Sequence, residues 1–334
     1  MRIAITGASG NLGTALIRAL RASDSSIEIV GLCRRPPAAQ TGGIDWHAVD
    51  LGSPDADPAV KAAFDGCDAV VHLAWAIQPT RQEEMLHRIN VGGTARVLRS
   101  AAAVGVPHVV HASSLAVYAP TGAGPVDESW PATGVATSAY SRQKVEAEAL
   151  LGEYQRATPA TIFTWVRPTL VVQRNAAAEI AGLFLGHQLA GRALGKLKGR
   201  LPLLPLPAGL RMQLVHADDV ADAIVRILDR KPSGAFNLAA DVLGPAELGS
   251  LMGGRPIAVP RSVARFAVGV AYQARMIPTS PGWLDMLVEG AELDSTRARV
   301  ELDWHPRHSS TDAAGELLDG FADGAHGPTP ALLG

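Results

Sequence analysis

Tyr140-Ser141-Arg142-Gln143-Lys144 opens a helix-patterned stretch, and a separation of four sets the phenol and the ammonium on one helix face. A phenol with a reference pKa of roughly 10 exchanges protons poorly at neutral pH until a nearby ammonium stabilises its phenolate, so the lysine is expected to bring it into a useful range. With four tyrosines and five lysines in the chain, roughly 0.06 such spacings arise by chance, which makes the pair informative. A third polar group should hold the reacting oxygen. Ser113-Ser114 follows the strand-like run 108–112, and Ser114 is the candidate. The chemistry indicated is proton exchange at an oxygen atom.

Gly7, Gly10 and Gly13 form a G-x-x-G-x-x-G loop where an apolar run gives way to a helical pattern. Such a loop lets backbone approach a pyrophosphate, whose charge the helix N-terminus then stabilises. The spacing is weak evidence, and its position after the first strand gives it weight. Selectivity for the dinucleotide should be set at the end of the second strand, where an acidic side chain would accept from a ribose 2′-hydroxyl. The residues there are Cys33, Arg34 and Arg35. Two guanidinium groups suit a 2′-phosphate, so NADP(H) is favoured and NAD(H) is possible. Asp50, after the third strand, is a candidate for the adenine amino group or a turn residue. His216, Asp218 and Asp219 are explained by a strand-to-helix junction, and no metal is expected.

Short β-rich runs alternate with helical stretches through the first half, which is the pattern of βαβ units. Strands are expected near 3–6, 27–33, 45–49, 69–73, 108–112 and 161–166, with helices near 12–22, 58–64, 82–103 and 138–156. The fold class is α/β: a doubly wound parallel sheet of the Rossmann kind with a smaller, interleaved, mainly helical C-terminal substrate lobe. Prolines between Gly195 and Gly209 argue against regular helix. The chain is then expected to return to the sheet through strands at 213–216 and 235–238 around a helix at 218–228. This divides it into a dinucleotide domain, 1–173 plus 213–240, and a substrate lobe, 174–212 plus 241–320, with a frayed tail over 321–334. Apolar side chains of the lobe such as Leu183, Phe184, Trp283 and Met286 read as core.

The 334 residues include 30 basic and 32 acidic ones, a formal charge of -2, with 47% hydrophobic and 19% charged residues. Disorder is excluded, and there is no electrostatic case for nucleic acid. Two cysteines, Cys33 and Cys67, make neither a disulfide framework nor a zinc site, so a cytoplasmic setting is expected. No apolar stretch suggests a signal peptide or a membrane span.

The chain resembles an extended short-chain dehydrogenase/reductase of the NAD-dependent epimerase/dehydratase family over roughly residues 1–240. The resemblance rests on Gly7-Ala8-Ser9-Gly10-Asn11-Leu12-Gly13, Asp50-Leu51, His72-Leu73-Ala74, Asn90-Val91-Gly92-Gly93-Thr94, Ser113-Ser114 with Val117-Tyr118, Tyr140 with Lys144, Arg167-Pro168, and His216-Ala217-Asp218-Asp219-Val220. It implies a catalytic set of Ser114, Tyr140 and Lys144 braced by Asn90, with Lys144 also binding the nicotinamide ribose. It further implies a cofactor cleft formed by the glycine loop with Asn11 and Leu12, by Asp50 and Leu51, and by Leu73, Ala74 and Pro168. A homodimer through the helices at 82–103 and after Ser138 is implied as well.

Two departures narrow the reaction. Leu115 and Ala116 stand where the family's dehydratases carry an Asp-Glu pair, and neither can carry a proton. Leu170 stands where many nucleotide-sugar enzymes carry an asparagine. The favoured reading is an NAD(P)H-dependent oxidoreductase acting on a ketone or aldehyde of a small-molecule substrate. The alternatives are a nucleotide-sugar epimerase with bound NAD, for whose diphosphate substrate Lys196, Lys198, Arg200 and Arg211 could supply charge, and a non-catalytic NAD(P)-binding regulatory protein.

Overall fold

The computed structural model of the chain describes residues 1–38, 43–78, 81–121, 124–186 and 188–333. Its first half runs β1 (Arg2–Thr6), α1 (Asn11–Ser23), β2 (Glu28–Cys33), β3 (Ile44–Ala48), α2 (Asp57–Phe64), β4 (Ala69–His72), α3 (Glu83–Val104), β5 (His108–Ala112), α4 (Ala139–Ala157) and β6 (Ile162–Pro168). There follow β7 (Leu170–Val172), α5 (Ala177–Leu185), α6 (Gln188–Lys196), β8 (Leu203–Pro207), β9 (Met212–His216), α7 (Ala217–Arg230) and β10 (Gly234–Leu238). The chain closes with β11 (Val242–Leu243), α8 (Pro245–Met252), β12 (Arg255–Val259), α9 (Arg261–Gln273), α10 (Pro281–Glu289), α11 (Thr296–Leu302) and α12 (Ser310–Asp323).

Seven parallel strands form the main sheet in the order β10-β6-β5-β4-β1-β2-β3. Alternation along the strands feeds two cores, as a sheet covered on both faces requires. Ile3, Ile5, Val71 and Val110 pack with Leu16 and Leu20 of α1 and with Val220, Ile224 and Ile227 of α7. Ala4, Val70 and Val109 face the other way, onto Val60, Phe64, Val97, Leu98 and Leu151 of α2, α3 and α4. The reversal of strand order beside β1 opens a crevice at the carboxyl edge, where ligands bind in such sheets.

Two expectations need correction. Residues 213–216 form a strand, but it does not rejoin the main sheet. β9 lies between β7 and β11 in a separate three-stranded sheet, because β10 occupies the place beside β6. The tail over 321–334 is not frayed as far as it is described: Phe321 and Leu332 are buried in the lobe core, and Thr329 Oγ1 donates to the Ser9 carbonyl at 2.6 Å. Two apolar anchors and a hydrogen bond to the glycine loop hold it. The proline-rich stretch contributes β8, paired in parallel with β12, a two-stranded edge arrangement that tolerates missing N–H groups. Among the described residues, no helix is long and apolar enough to cross a membrane.

Candidate active site

The glycine loop bends tightly between β1 and α1. Gly7 has φ +72°, and a Cβ there would lie 2.8 Å from the Ala74 nitrogen; one on Gly13 would lie 2.3 Å from the Gly7 carbonyl oxygen. Leu73 and Ala74 thereby form one wall of the loop, with their N–H groups donating to Thr6. Gly10 caps α1 without a side-chain hydrogen bond, and the first turn carries no acidic residue. That helix end offers N–H groups to an anion, so the cradle fits a dinucleotide pyrophosphate. Asn11 ties the loop to β7, its amide donating to the Val171 carbonyl at 3.0 Å while Gln173 donates to its side-chain oxygen at 2.9 Å.

Arg34 and Arg35 are exposed immediately beyond β2. Asp50 is exposed, and one of its oxygens accepts from the Gly52 N–H at 2.9 Å, closing a turn. Leu12 and Leu51 pack against the cores on the two faces of the sheet, and Pro168 is buried at the end of β6 opposite Leu238.

Tyr140 and Ser114 are brought together by the start of α4. The Ser138 hydroxyl caps that helix by accepting from the Ser141 N–H, and the Ser141 hydroxyl donates to the Ala116 carbonyl at 2.6 Å. This stitches the first turn of α4 to the short turn that Ser114 begins. The Tyr140 and Ser114 side chains are hydrogen-bonded, and burial raises the phenol's pKa more than that bond lowers it. Lys144, 2% exposed, donates from Nζ to the Ala112 carbonyl at 2.7 Å. Its Nζ lies 5.8 Å from the Tyr140 ring centroid and 3.6 Å from that of Trp75. Burial pushes Lys144 down to about 7, against the opposing pull of the Glu148 carboxylate. The expected lowering of the tyrosine by the lysine is therefore not what this geometry produces: the ammonium faces a carbonyl and an indole, and the phenol keeps its proton.

Asn90 braces the neighbouring loop, exchanging hydrogen bonds with the Ala76 N–H at 2.7 Å and carbonyl at 2.9 Å and donating to Gln143. Behind Lys144, Glu148 pairs with Arg167, both nearly buried, and Arg167 donates to the Tyr118 hydroxyl at 2.8 Å, which in turn donates to Asn237. Sequence reasoning missed Glu148, although it lies one helical turn beyond Lys144. It also missed Trp75, whose buried indole N–H has no partner among the described residues and which directly follows the Leu73-Ala74 wall.

Trp283, read as core, lines a pocket beside Tyr140, with the two ring centroids 4.9 Å apart. Phe184 meets Trp283 edge-on from behind at 5.0 Å. Of the basic residues considered for a diphosphate, Lys198 pairs with Asp319 and Arg211 with Glu292, while Lys196 and Arg200 are exposed. His216 caps α7, Asp218 stands in its first turn, and Asp219 is buried against His308 at 2.9 Å. Among the described residues, no cluster could hold a metal ion.

Comparison with known proteins agrees with this architecture. The chain is 28% identical to a dTDP-6-deoxy-L-talose 4-dehydrogenase (NAD(P)(+)) of Kitasatospora kifunensis, covering 95% of this chain and 94% of the relative. It is 26% identical to a 3-diazoavenalumate denitrifying reductase of a Streptomyces species, covering 93% and 97%. Three mycobacterial relatives, 31% identical over 74% of this chain, are far longer, and the match spans 22% of each. The Thermus thermophilus UDP-glucose 4-epimerase in complex with NAD shares the fold at TM-score 0.70 and 19% identity, over 96% of this chain and 99% of that one. The family pattern matches residues 3–239, and with it the chain belongs to the NAD dependent epimerase/dehydratase family and is an enzyme of its NAD(P)-dependent kind.

Proposed function

We propose that this enzyme reduces a ketone or aldehyde with NADPH, Tyr140 delivering the proton to the carbonyl oxygen. The observation that carries the reading is the Tyr140 hydroxyl hydrogen-bonded to Ser114, with Lys144 buried one helical turn further on, and Tyr140 itself lining a pocket. A phenol held protonated by burial suits the acid of a reduction, where a base for oxidation would have to start ionised. The dinucleotide, when bound, supplies the hydride. Ser114 orients the carbonyl oxygen, and Lys144 stabilises the charge that develops on it. The exposed Arg34 and Arg35 support NADPH, since they offer donors to a 2′-phosphate where an acidic residue would serve the 2′-hydroxyl of NAD. Leu115 and Ala116 speak against a dehydratase. Substrate selection is assigned to the lobe of 174–212 plus 241–320. A homodimer across α3 and α4, which lie side by side on one face of the sheet, completes the proposal, as does a reducing cytoplasm, in keeping with free, buried Cys33 and Cys67.

The test is NADPH oxidation with a panel of ketones and aldehydes, repeated with Tyr140→Phe, which should lose about 100- to 1,000-fold in kcat. Equal rates for wild type and variant would remove Tyr140 from the reaction. The likeness to an epimerase fold motivates a second reading, epimerisation on bound NAD. Cofactor extracted from the purified protein separates the two: tightly retained NAD favours the epimerase, and loosely bound NADP(H) the reductase.

A further inference from the structure

The pocket beside Tyr140 has a volume of about 200 Å³. A 150 Å³ apolar cavity holds benzene, and drug-sized ligands need at least about 300 Å³, so one or two rings fit and a nucleoside diphosphate sugar does not. Tyr140, Tyr272 and Trp283 are the rings among its lining residues, beside polar ones such as Asn90, Gln143 and Ser280. Trp75 stands edge-on to Tyr140 at 6.1 Å, Tyr140 is tilted against Trp283 at 4.9 Å, and Phe184 backs Trp283 at 5.0 Å. Ile77 and Leu86 add apolar surface. The charged side chains among the lining residues, Glu83 and Arg142, pair with each other, which leaves no net cation for a phosphate.

Trp283 is held rigidly. Gly282 before it packs so tightly that a Cβ there would lie 2.4 Å from the Thr137 carbonyl oxygen. Asp285, two residues on, accepts from the Thr137 hydroxyl at 2.9 Å and from Arg265 at 2.8 Å. Since 137–138 leads directly into α4, these contacts fix the indole relative to the Tyr140 hydroxyl, and a wall fixed in advance loses little entropy when a flat ring lies on it.

We infer that the substrate is an uncharged, planar carbonyl compound of one or two rings, lying against Trp283 with its carbonyl directed at Tyr140. This rests on the carbonyl-reductase reading. The C=O bond becomes CH–OH: carbon gains the hydride of NADPH, which leaves as NADP⁺, and oxygen takes the Tyr140 proton, which solvent replaces.

The test uses 1-tetralone, UDP-glucose and butanone on the full chain with NADP⁺ bound, with binding read by titration calorimetry and reduction read separately with NADPH. Tetralone should bind at least about tenfold more tightly than either competitor. Trp283→Ala should weaken tetralone binding at least about tenfold, and Trp283→Phe should restore it to within about threefold. Tyr140→Phe should still bind tetralone while failing to reduce it. Equal tetralone binding by wild type and Trp283→Ala, or tighter binding of UDP-glucose than of tetralone, overturns the substrate class. Tetralone that binds through Trp283 yet is never reduced leaves the pocket standing and sinks the reductase reading. Reduction of butanone in preference to tetralone, with tetralone binding indifferent to Trp283, does the reverse.

Discussion

Lys144 and Tyr140 share a helix face because residues four apart always do, but burial decides their protonation. With Lys144 brought down to about 7, the ammonium is present below that pH and lost above it. The phenol, displaced upward, stays protonated across the same range. For carbonyl reduction kcat/KM should therefore be level on the acid side and fall about tenfold per pH unit above roughly 7. Glu148→Gln removes the carboxylate that raises the lysine, so the falling limb should move to lower pH; an unmoved limb would mean that another group sets it. A second prediction concerns Arg34 and Arg35. Replacing both with alanine should raise the Michaelis constant for NADPH at least about tenfold while changing that for NADH by less than about twofold. Equal effects on both cofactors would show that the arginines do not read the 2′ position.

At the scale of elements, the glycine loop shows how unequal three glycines at regular spacing can be. A Cβ on Gly13 meets the Gly7 carbonyl oxygen at 2.3 Å, whereas one on Gly10 stays 3.4 Å from the same atom. Gly13→Ala must push α1 away from β1, so we expect it to destabilise the chain by about 1–3 kcal/mol and weaken dinucleotide binding at least about tenfold. Gly10→Ala should cost less than about 1 kcal/mol. Urea unfolding of the two variants checks the order, and comparable losses would contradict the contact argument. The elements of the first half were legible because each is either a short apolar run or a longer helical pattern, with turn residues between them. The destination of 212–216 was not, since periodicity identifies a strand and says nothing about its neighbour.

Across the whole molecule, three neutral histidines are buried in the strands of the main sheet. Burial lowers His72 to about 3, His108 to about 4 and His111 well below its ordinary value. Unfolded, each titrates near 6.5, so below that pH the unfolded chain binds more protons and stability falls as pH falls. At pH 5 each histidine contributes a loss of about 2 kcal/mol, and the three together about 6 kcal/mol, relative to pH 7. Urea midpoints at both pH values measure this, and His111→Leu should shrink the difference by about a third. A midpoint unchanged between pH 7 and pH 5 would refute the assignment.

The sequence by itself determined what depends on neighbours along the chain: strand and helix periods, the turn that Gly7, Gly10 and Gly13 permit, and the common face of Tyr140 and Lys144. Only the tertiary structure decided what depends on the path between distant segments. It set Trp75 under the Lys144 ammonium, Trp283 against Tyr140 and the tail against the glycine loop. It also fixed the protonation states, because desolvation is a property of everything packed around a group and not of the residues beside it in sequence.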